Sequence, residues 1–593
     1  MQEVPPRARG QEEPSAAHPP TARPDAAPQT GLLQATDPTA VPALWGQAFP
    51  ARTWRRVLGE RGVVLTLEHP GTLRAADAAQ AHHLGPLSPG RHLLTPAQLA
   101  HDWLWVEGKD GETTGLGEVT WSLEGPLELP PVAVVIPTYR RETDAVAQSR
   151  RFLAMDTVTA VIVVDQGGTL AAHPGFAALR AEHPGLRLVT QENLGGSGGY
   201  ARGMLEATRE HPSAAVLFSD DDAVLSAESL RRMLTFQALA PRPTVLGTPL
   251  FSADRPARLL AHTEGVGARA FQWRPADRVR GGIDLADTTP AEWTFHSQRE
   301  AADYTGWWGT LFPPGTAAEL GLPAPLFLKW DDAEYGLRAR AHGYDQAVLP
   351  GTAVHHPPWT AYRTQMTWTA RVLHRNRLAV AAAYGAGRGV LASSLLHQAK
   401  HVLAGHLLTA ELWEDGIDAV LDGPGAWLGR DLSRARDDGA AVAARWHHDH
   451  DLTEIPAGRR TAPLPLPRAA LRAATRLLGP DRPASMVLEV PADEVHWRST
   501  LGGDAIVITD AAGGVETAYT VPGSAMRAAL TRSLRSHLAL ARTWPALRES
   551  YAEALPRHLT EGSWSSLFGT DTGRTDTGRT DAGRTDDGHE GRR

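Results

Sequence analysis

Four short apolar runs, residues 132–136, 159–164, 186–189 and 214–218, constrain this chain more than any other feature. Each is rich in Val, Ile, Leu or Ala, and segments of about 12 to 20 residues that read as helices separate them. Such runs predict strands buried on both faces, and their alternation with helices predicts a mostly parallel α/β sheet with right-handed crossovers. Every run ends in polar or glycine-rich text: Pro137-Thr138-Tyr139-Arg140-Arg141, Asp165-Gln166-Gly167-Gly168, Glu192-Asn193-Leu194-Gly195-Gly196 and Ser219-Asp220-Asp221-Asp222. Parallel strands bring those four ends to one sheet edge, where open α/β sheets bind ligands.

The three adjacent acids at the end of the fourth run repel one another. A cation is expected among them, and hard oxygen donors suit Mg²⁺ or Mn²⁺. The competing reading is a helix N-terminus, because residues 223–228 continue as helical text and acids favour a first turn; both can hold together. Residues 193–203 follow a strand with five glycines, which lets backbone amides approach a phosphate or ribose at a helix start. Their spacing fits neither a dinucleotide fingerprint nor a Walker loop, and a tight turn is the alternative.

Lys329-Trp330-Asp331-Asp332 places a second acid pair at the mouth of a helix. One of the pair can cap that helix while the other, Asp332, serves as general base on a hydroxyl. Gly306-Trp307-Trp308-Gly309 offers a ring for sugar stacking, or two packing side chains. His355-His356 ends another apolar run, and one imidazole could complete an octahedral metal shell. Arg371, His374, Arg375 and Arg377 form a basic helical stretch able to hold a pyrophosphate, with a solvated face as the alternative.

The formal charge of −8 gives no basic excess for nucleic acid, and the absence of cysteine excludes disulfides, thiolate metal sites and cysteine nucleophiles. No uninterrupted apolar span approaches 20 residues, so any membrane contact is expected to be peripheral. Residues 1–30 read as a disordered leader, and 569–593, a polar repeat of period five, as a disordered tail. Residues 31–129 carry short β-like runs between turn residues, predicting an antiparallel β-sandwich or jelly roll whose tryptophans (45, 54, 103, 105, 121) pack inside it. Residues 130–385 hold the α/β pattern. Residues 386–568 are alanine-rich and mainly helical, with a hairpin at 505–521.

Val134-Val135-Ile136-Pro137-Thr138-Tyr139, the triacid and Trp330-Asp331-Asp332 together resemble inverting glycosyltransferases of family 2 with the GT-A fold. Val164-Asp165-Gln166-Gly167, the glycine loop, Gly306-Trp307-Trp308-Gly309 and His355-His356 narrow the likeness to the polymerising galactofuranosyltransferases of actinobacterial cell-wall galactan. It covers residues 40–390 well. It implies a Rossmann-like GT-A core, UDP contacts from Pro137, Thr138, Arg141, Gln166 and Asn193, and Mn²⁺ or Mg²⁺ on Asp220, Asp222 and His356. It further implies Asp332 as the base, Trp307, Trp308 and Asp331 at the acceptor, and Glu264 and His374 as further acceptor contacts. The expected partners are UDP-galactofuranose and a lipid-linked galactan, at the cytoplasmic face of the membrane, in a homo-oligomer such as a tetramer. Alternatives are a family 2 transferase of another nucleotide sugar, such as rhamnose, and a non-catalytic carbohydrate-binding scaffold.

Overall fold

The computed structural model describes residues 31–569 except 110, 114, 115, 276–278, 280, 281, 294–301, 359, 360 and 457. The leader at 1–30 and the repeat at 570–593 lie outside the described residues.

The four apolar runs become strands β1 (Val132–Thr138), β2 (Val158–Asp165), β3 (Leu186–Thr190) and β4 (Ala215–Phe218). Three more complete the sheet: β5 (Thr244–Gly247), β6 (Thr310–Phe312) and β7 (Asp345–Val348). Their order is β3-β2-β1-β4-β6-β5-β7. All pairings are parallel except those of β6, which runs antiparallel to β4 and β5. The expected mostly parallel α/β core is therefore present, with one reversed strand at its middle. That strand starts at the acid-bearing edge, directly after the Trp307-Trp308 pair, with Thr310 opposite Phe218, and runs away from it.

Helices α1 (Glu142–Leu153), α2 (Gly195–Glu210), α3 (Ala227–Leu239) and α4 (Asp331–Ala341) follow the ends of β1, β3 and β4 and the second acid pair. α2 packs unusually close to the sheet, because a Cβ on Gly203 would lie 2.0 Å from Val135 Cγ1. Glycine at that position lets the helix start sit at the strand ends.

N-terminal to the core lie two antiparallel sheets. One holds Gly31–Ala35, Val119–Leu123, Val63–Leu67 and Gly90–Leu93; the other holds Gln80–Leu87, Gly71–Asp77 and Trp103–Glu107. Trp45, Trp54, Trp103, Trp105 and Trp121 are each no more than 2% exposed, so the indoles pack inside, Trp103, Trp105 and Trp121 from strands and Trp45 and Trp54 from two short helices. Arg232 of α3, 1% exposed, binds this region to the core by donating to the carbonyls of Ala35, Gly46 and Gly351.

The C-terminal region is mainly helical, with α5 (Thr369–Ala383), α6 (Gly389–Leu403), α7 (Leu407–Leu421), α8 (Arg434–His450) and the 35-residue α9 (Gly523–Arg557). The hairpin read from sequence is present as Ala505–Thr509 and Val515–Thr520, but it belongs to a four-stranded sheet. Met486–Pro491 and Arg459–Thr461 add to it in parallel. Among the described residues, no helix is long and apolar enough to cross a membrane.

Candidate active site

The triacid follows the last residue of β4 and is stitched in place on its far side. Val224–Leu225 pairs antiparallel with Val354–His356, which also runs parallel to Leu250–Ser252. Alternation along that short strand sends neighbouring imidazoles opposite ways. His355 Nε2 lies 3.3 Å from Pro256 O, whereas His356 Nε2 lies 3.1 Å from Asp222 Oδ1 and 3.8 Å from Asp220 Oδ2.

The donor set fits a divalent ion. Asp220, Asp222 and His356 each offer one atom, all within 4.8 Å of one another. His356 Nδ1 donates to Pro357 O at 2.6 Å, which fixes the tautomer and leaves the Nε2 lone pair facing the two carboxylates. A lone pair aimed at two anions is unfavourable unless a proton or a metal lies between. Accordingly, although burial opposes it, the hydrogen bond and charge of Asp222 raise the imidazole above its ordinary pKa. Burial works to raise Asp222, but His356 and then Arg141 outweigh it and hold that carboxyl at about 2. Burial pushes Asp221 up to about 7, against the hydrogen bond from Thr138 Oγ1 at 2.7 Å.

The residues expected at the nucleotide surround this cluster. Arg141 reaches Asp222 at 2.5 Å and Asp221 at 3.3 Å, and also pairs with Asp144. Gln166 is buried and holds the glycine loop: its Nε2 donates to Gly195 O at 3.0 Å, and its Oε1 accepts from Leu194 N and Gln191 Nε2. Asn193 Oδ1 accepts from Gly195 N at 3.0 Å. Pro137 packs under the same loop, where a Cβ on Gly199 would meet it at 2.6 Å. In this arrangement Thr138 and Gln166 organise the pocket's own walls.

The second acid pair arrives on an unusual turn. Phe327, Lys329 and Trp330 all have positive φ, at 73°, 66° and 71°, a backbone that bulky residues adopt only when the surroundings enforce it. Two neighbours enforce it. Asn376 Nδ2 of α5 lies 2.9–3.0 Å from the carbonyls of Leu326, Leu328 and Lys329. Gly195, at φ +71°, lets the α2 start close on the turn, since a Cβ there would fall 2.1 Å from Phe327 O.

That turn delivers Asp331, buried and accepting from Ser197 Oγ at 2.8 Å, and Asp332, half-buried at the start of α4. Burial, then the charges of Asp331 and Glu264, push Asp332 well above the usual carboxylate range. Burial raises Asp220, Asp331 and Asp332, and the Lys329 ammonium works against that rise at all three, so it lies near both acid sets. Tyr200 ties the first set to the tryptophan pair: its hydroxyl lies 2.7 Å from Asp220 Oδ1 and 3.0 Å from Trp307 O.

The remaining expected residues divide. Glu264 is brought to Asp332 and accepts from Trp273 Nε1 at 2.7 Å. Trp308 is half-buried, its indole N–H donating to Thr248 O at 3.2 Å. Trp307 is 6% exposed and packs edge-on against Tyr200, Phe218 and Tyr335. His374 is fully buried, stacked on Trp413 at 4.0 Å and bonded to Ser394 Oγ at 3.0 Å. Both rings sit in packed interior surroundings rather than on an open wall. Sequence reasoning passed over Tyr200, Lys329 and Trp273. Trp273 is 51% exposed beside Glu264, an indole left half in solvent at the site.

Comparison with known proteins adds kinship to this geometry. The family model "Glycosyltransferase like family 2" matches residues 130–381. Galactofuranosyltransferase GlfT2 of Mycolicibacterium smegmatis is 31% identical over 577 residues, covering 89% of each chain. Its namesake from Mycobacterium tuberculosis is 29% identical over 570 residues, covering 88% of this chain and 89% of that one. Among solved structures, a mannosyltransferase from Pyrobaculum calidifontis with GDP-Man and Mn²⁺ overlays 54% of this chain and 84% of its own, at 16% identity and a TM-score of 0.31. An overlay that loose contributes nothing to the assignment.

Proposed function

This chain belongs to the GlfT2 galactofuranosyltransferase family, and from that premise we propose that it transfers galactofuranose from UDP-galactofuranose, with inversion, to a lipid-linked galactan. The kinship supports the sugar. One juxtaposition supports the chemistry: a tautomer-fixed His356 between Asp220 and Asp222, and an acid whose pKa is raised, Asp332, with Lys329 near both.

Asp220, Asp222 and His356 would hold Mn²⁺ or Mg²⁺, which when bound supplies positive charge to the departing diphosphate. Asp332 takes the proton from the acceptor hydroxyl. The hydroxyl oxygen attacks the anomeric carbon, the bond from that carbon to the UDP oxygen breaks, and its electron pair leaves with UDP. Attack opposite the leaving group inverts the centre and requires a single base. The raised pKa of Asp332 suits this task, since a base near the operating pH accepts a proton more readily than an ordinary carboxylate. Glu264, Asp331, Trp273 and Trp308 orient the acceptor, and the glycine loop held by Gln166 and Asn193 lies along the nucleotide. Peripheral contact with the inner membrane face and assembly into a homo-oligomer complete the proposal.

Purified protein given UDP-galactofuranose and a short lipid-tailed galactofuranose acceptor should extend it by units of galactofuranose in mass spectra. Extension from dTDP-rhamnose instead would overturn the donor assignment, and no extension from either would overturn the polymerase reading.

A further inference from the structure

Away from the acid cleft, α5 buries two guanidinium groups, one without an ion pair among the described residues and one with an unused nitrogen. Arg375 is 3% exposed. Its Nε donates to Asn376 Oδ1 at 3.0 Å, its Nη2 to Leu326 O at 3.3 Å, and its plane lies 3.9 Å from the Trp427 ring centroid. Among the described residues no carboxylate forms an ion pair with it. Arg371, one turn earlier and 5% exposed, engages Asp415 and Asp438 through Nε and Nη2, which leaves Nη1 buried without a partner.

Both groups open into a cavity of about 430 Å³, walled by residues 325–327 and Trp427 and rimmed by Arg430 and Arg434. Three carboxylates share the lining, and one of them already serves two of its arginines. Asp438 pairs with Arg371 and approaches Arg434, and Asp431 caps Ser433 through its backbone N and hydroxyl. Asp422 is exposed at the rim. A buried charge without a partner is costly, and proteins ordinarily supply one. Burial, and then the neighbouring Arg371, push the Arg375 guanidinium down to about 9, although the charges of Asp438 and Asp415 work the other way.

We propose that this cavity binds an anion of the phosphate or pyrophosphate class, held by Arg371 Nη1 and Arg375 from inside and by Arg430 and Arg434 from the rim. Guanidinium forks match phosphate oxygens, and four of them around one space suit a polyphosphate better than a carboxylate. The far wall is the turn that carries Asp331 and Asp332, and Leu326 O already accepts from both Arg375 and Asn376. Occupancy therefore braces the base-bearing turn from behind. The site stands independently of the transferase reading; only one of its two possible anion sources, a phosphate carried on the acceptor, depends on that reading.

The test titrates inorganic pyrophosphate calorimetrically into the full chain with EDTA present, in an Asp222→Ala background that disables the metal cleft. One site is expected. Arg430→Ala/Arg434→Ala, both surface changes, should weaken it at least tenfold. Arg375→Met should abolish it and also abolish the rise in melting temperature that pyrophosphate gives the parent. Absence of binding in the parent, or affinity unchanged in the double variant, overturns the proposal. With Asp222 intact, an acceptor bearing a terminal phosphate and its phosphate-free counterpart identify the source. A KM raised by Arg430→Ala/Arg434→Ala only for the phosphorylated acceptor assigns the anion to the acceptor. Equal KM values with pyrophosphate binding lost assign it to the free anion.

Discussion

Replacing Asp332 by Asn should separate chemistry from stability in opposite directions. The carboxylate is half-buried, faces Asp331 and Glu264, and has its pKa raised by burial and by those two charges. Its structural duty is light: Oδ1 accepts from Ala333 N at 2.7 Å, which an amide oxygen can also do. A general base contributes roughly 10²–10⁴ in rate, so kcat should fall by that factor, about 2.7–5.4 kcal/mol of barrier at 1.36 kcal/mol per tenfold. Stability should move the other way. For an acid raised by the fold, the protonated form is favoured; that stabilisation is complete below the unfolded pKa and is lost as pH rises through the folded one. Each unit of elevation costs about 1.4 kcal/mol above that pH, and a neutral side chain avoids the cost. In a chain of this size the gain should raise the melting temperature at pH 7.5 by about 1–3 °C. Initial rates and calorimetry on the same preparation measure both. Wild-type kcat should decline as pH falls, beginning above the ordinary carboxylate range, and the variant should lose that limb. Activity within threefold of wild type would refute the assignment of the base. A rate loss accompanied by a falling melting temperature would mean that the side chain supports the fold instead.

EDTA should abolish transfer and Mn²⁺ or Mg²⁺ restore it, whereas Asp222→Ala should stay inactive at any metal concentration; transfer insensitive to chelation would remove the metal from the reading. Glu334→Gln should lower the melting temperature substantially. It leaves the Arg338 guanidinium, paired with Glu334 at 2.7 Å where both are nearly inaccessible, without its anion, a loss of about 3–5 kcal/mol. Gly203→Ala should cost about 1–3 kcal/mol by overpacking against Val135. Trimming that neighbour in Gly203→Ala/Val135→Ala should recover part of it, as read by thermal unfolding.

The sheet was legible because its strands are long enough to show their character. Residues 132–136, 159–164, 186–189 and 214–218 are continuous apolar runs, and the structure returns each within two residues. β6 was invisible: three residues carry no period, and the two tryptophans before it drew the reading toward sugar stacking. The same adjacency hid the division of labour between Trp307, packed on three aromatic rings, and Trp308, half open. The acids could be found because their clustering is costly without a purpose. Tyr200 could not, since it lies among glycines that explained the loop well enough without it. Nothing local in Phe327-Leu328-Lys329-Trp330 announces a left-handed backbone, because the force that imposes it comes from Asn376, some fifty residues later. The four-stranded C-terminal sheet was read as a lone hairpin because its two parallel strands pair across a distance that local turn signals do not encode.

The triple grip of Asn376 on that turn also bears on how the molecule can be cut and recombined. The helix that bears this amide is itself clamped by α7 and α9, the latter closing near residue 557. A graft that borrows only the stretch up to residue 381 would carry the acids and Asn376 without the helices that hold that amide in place. Exchanges between relatives should therefore take the sheet and the helices through α9 as one heritable block, with crossover points placed outside it.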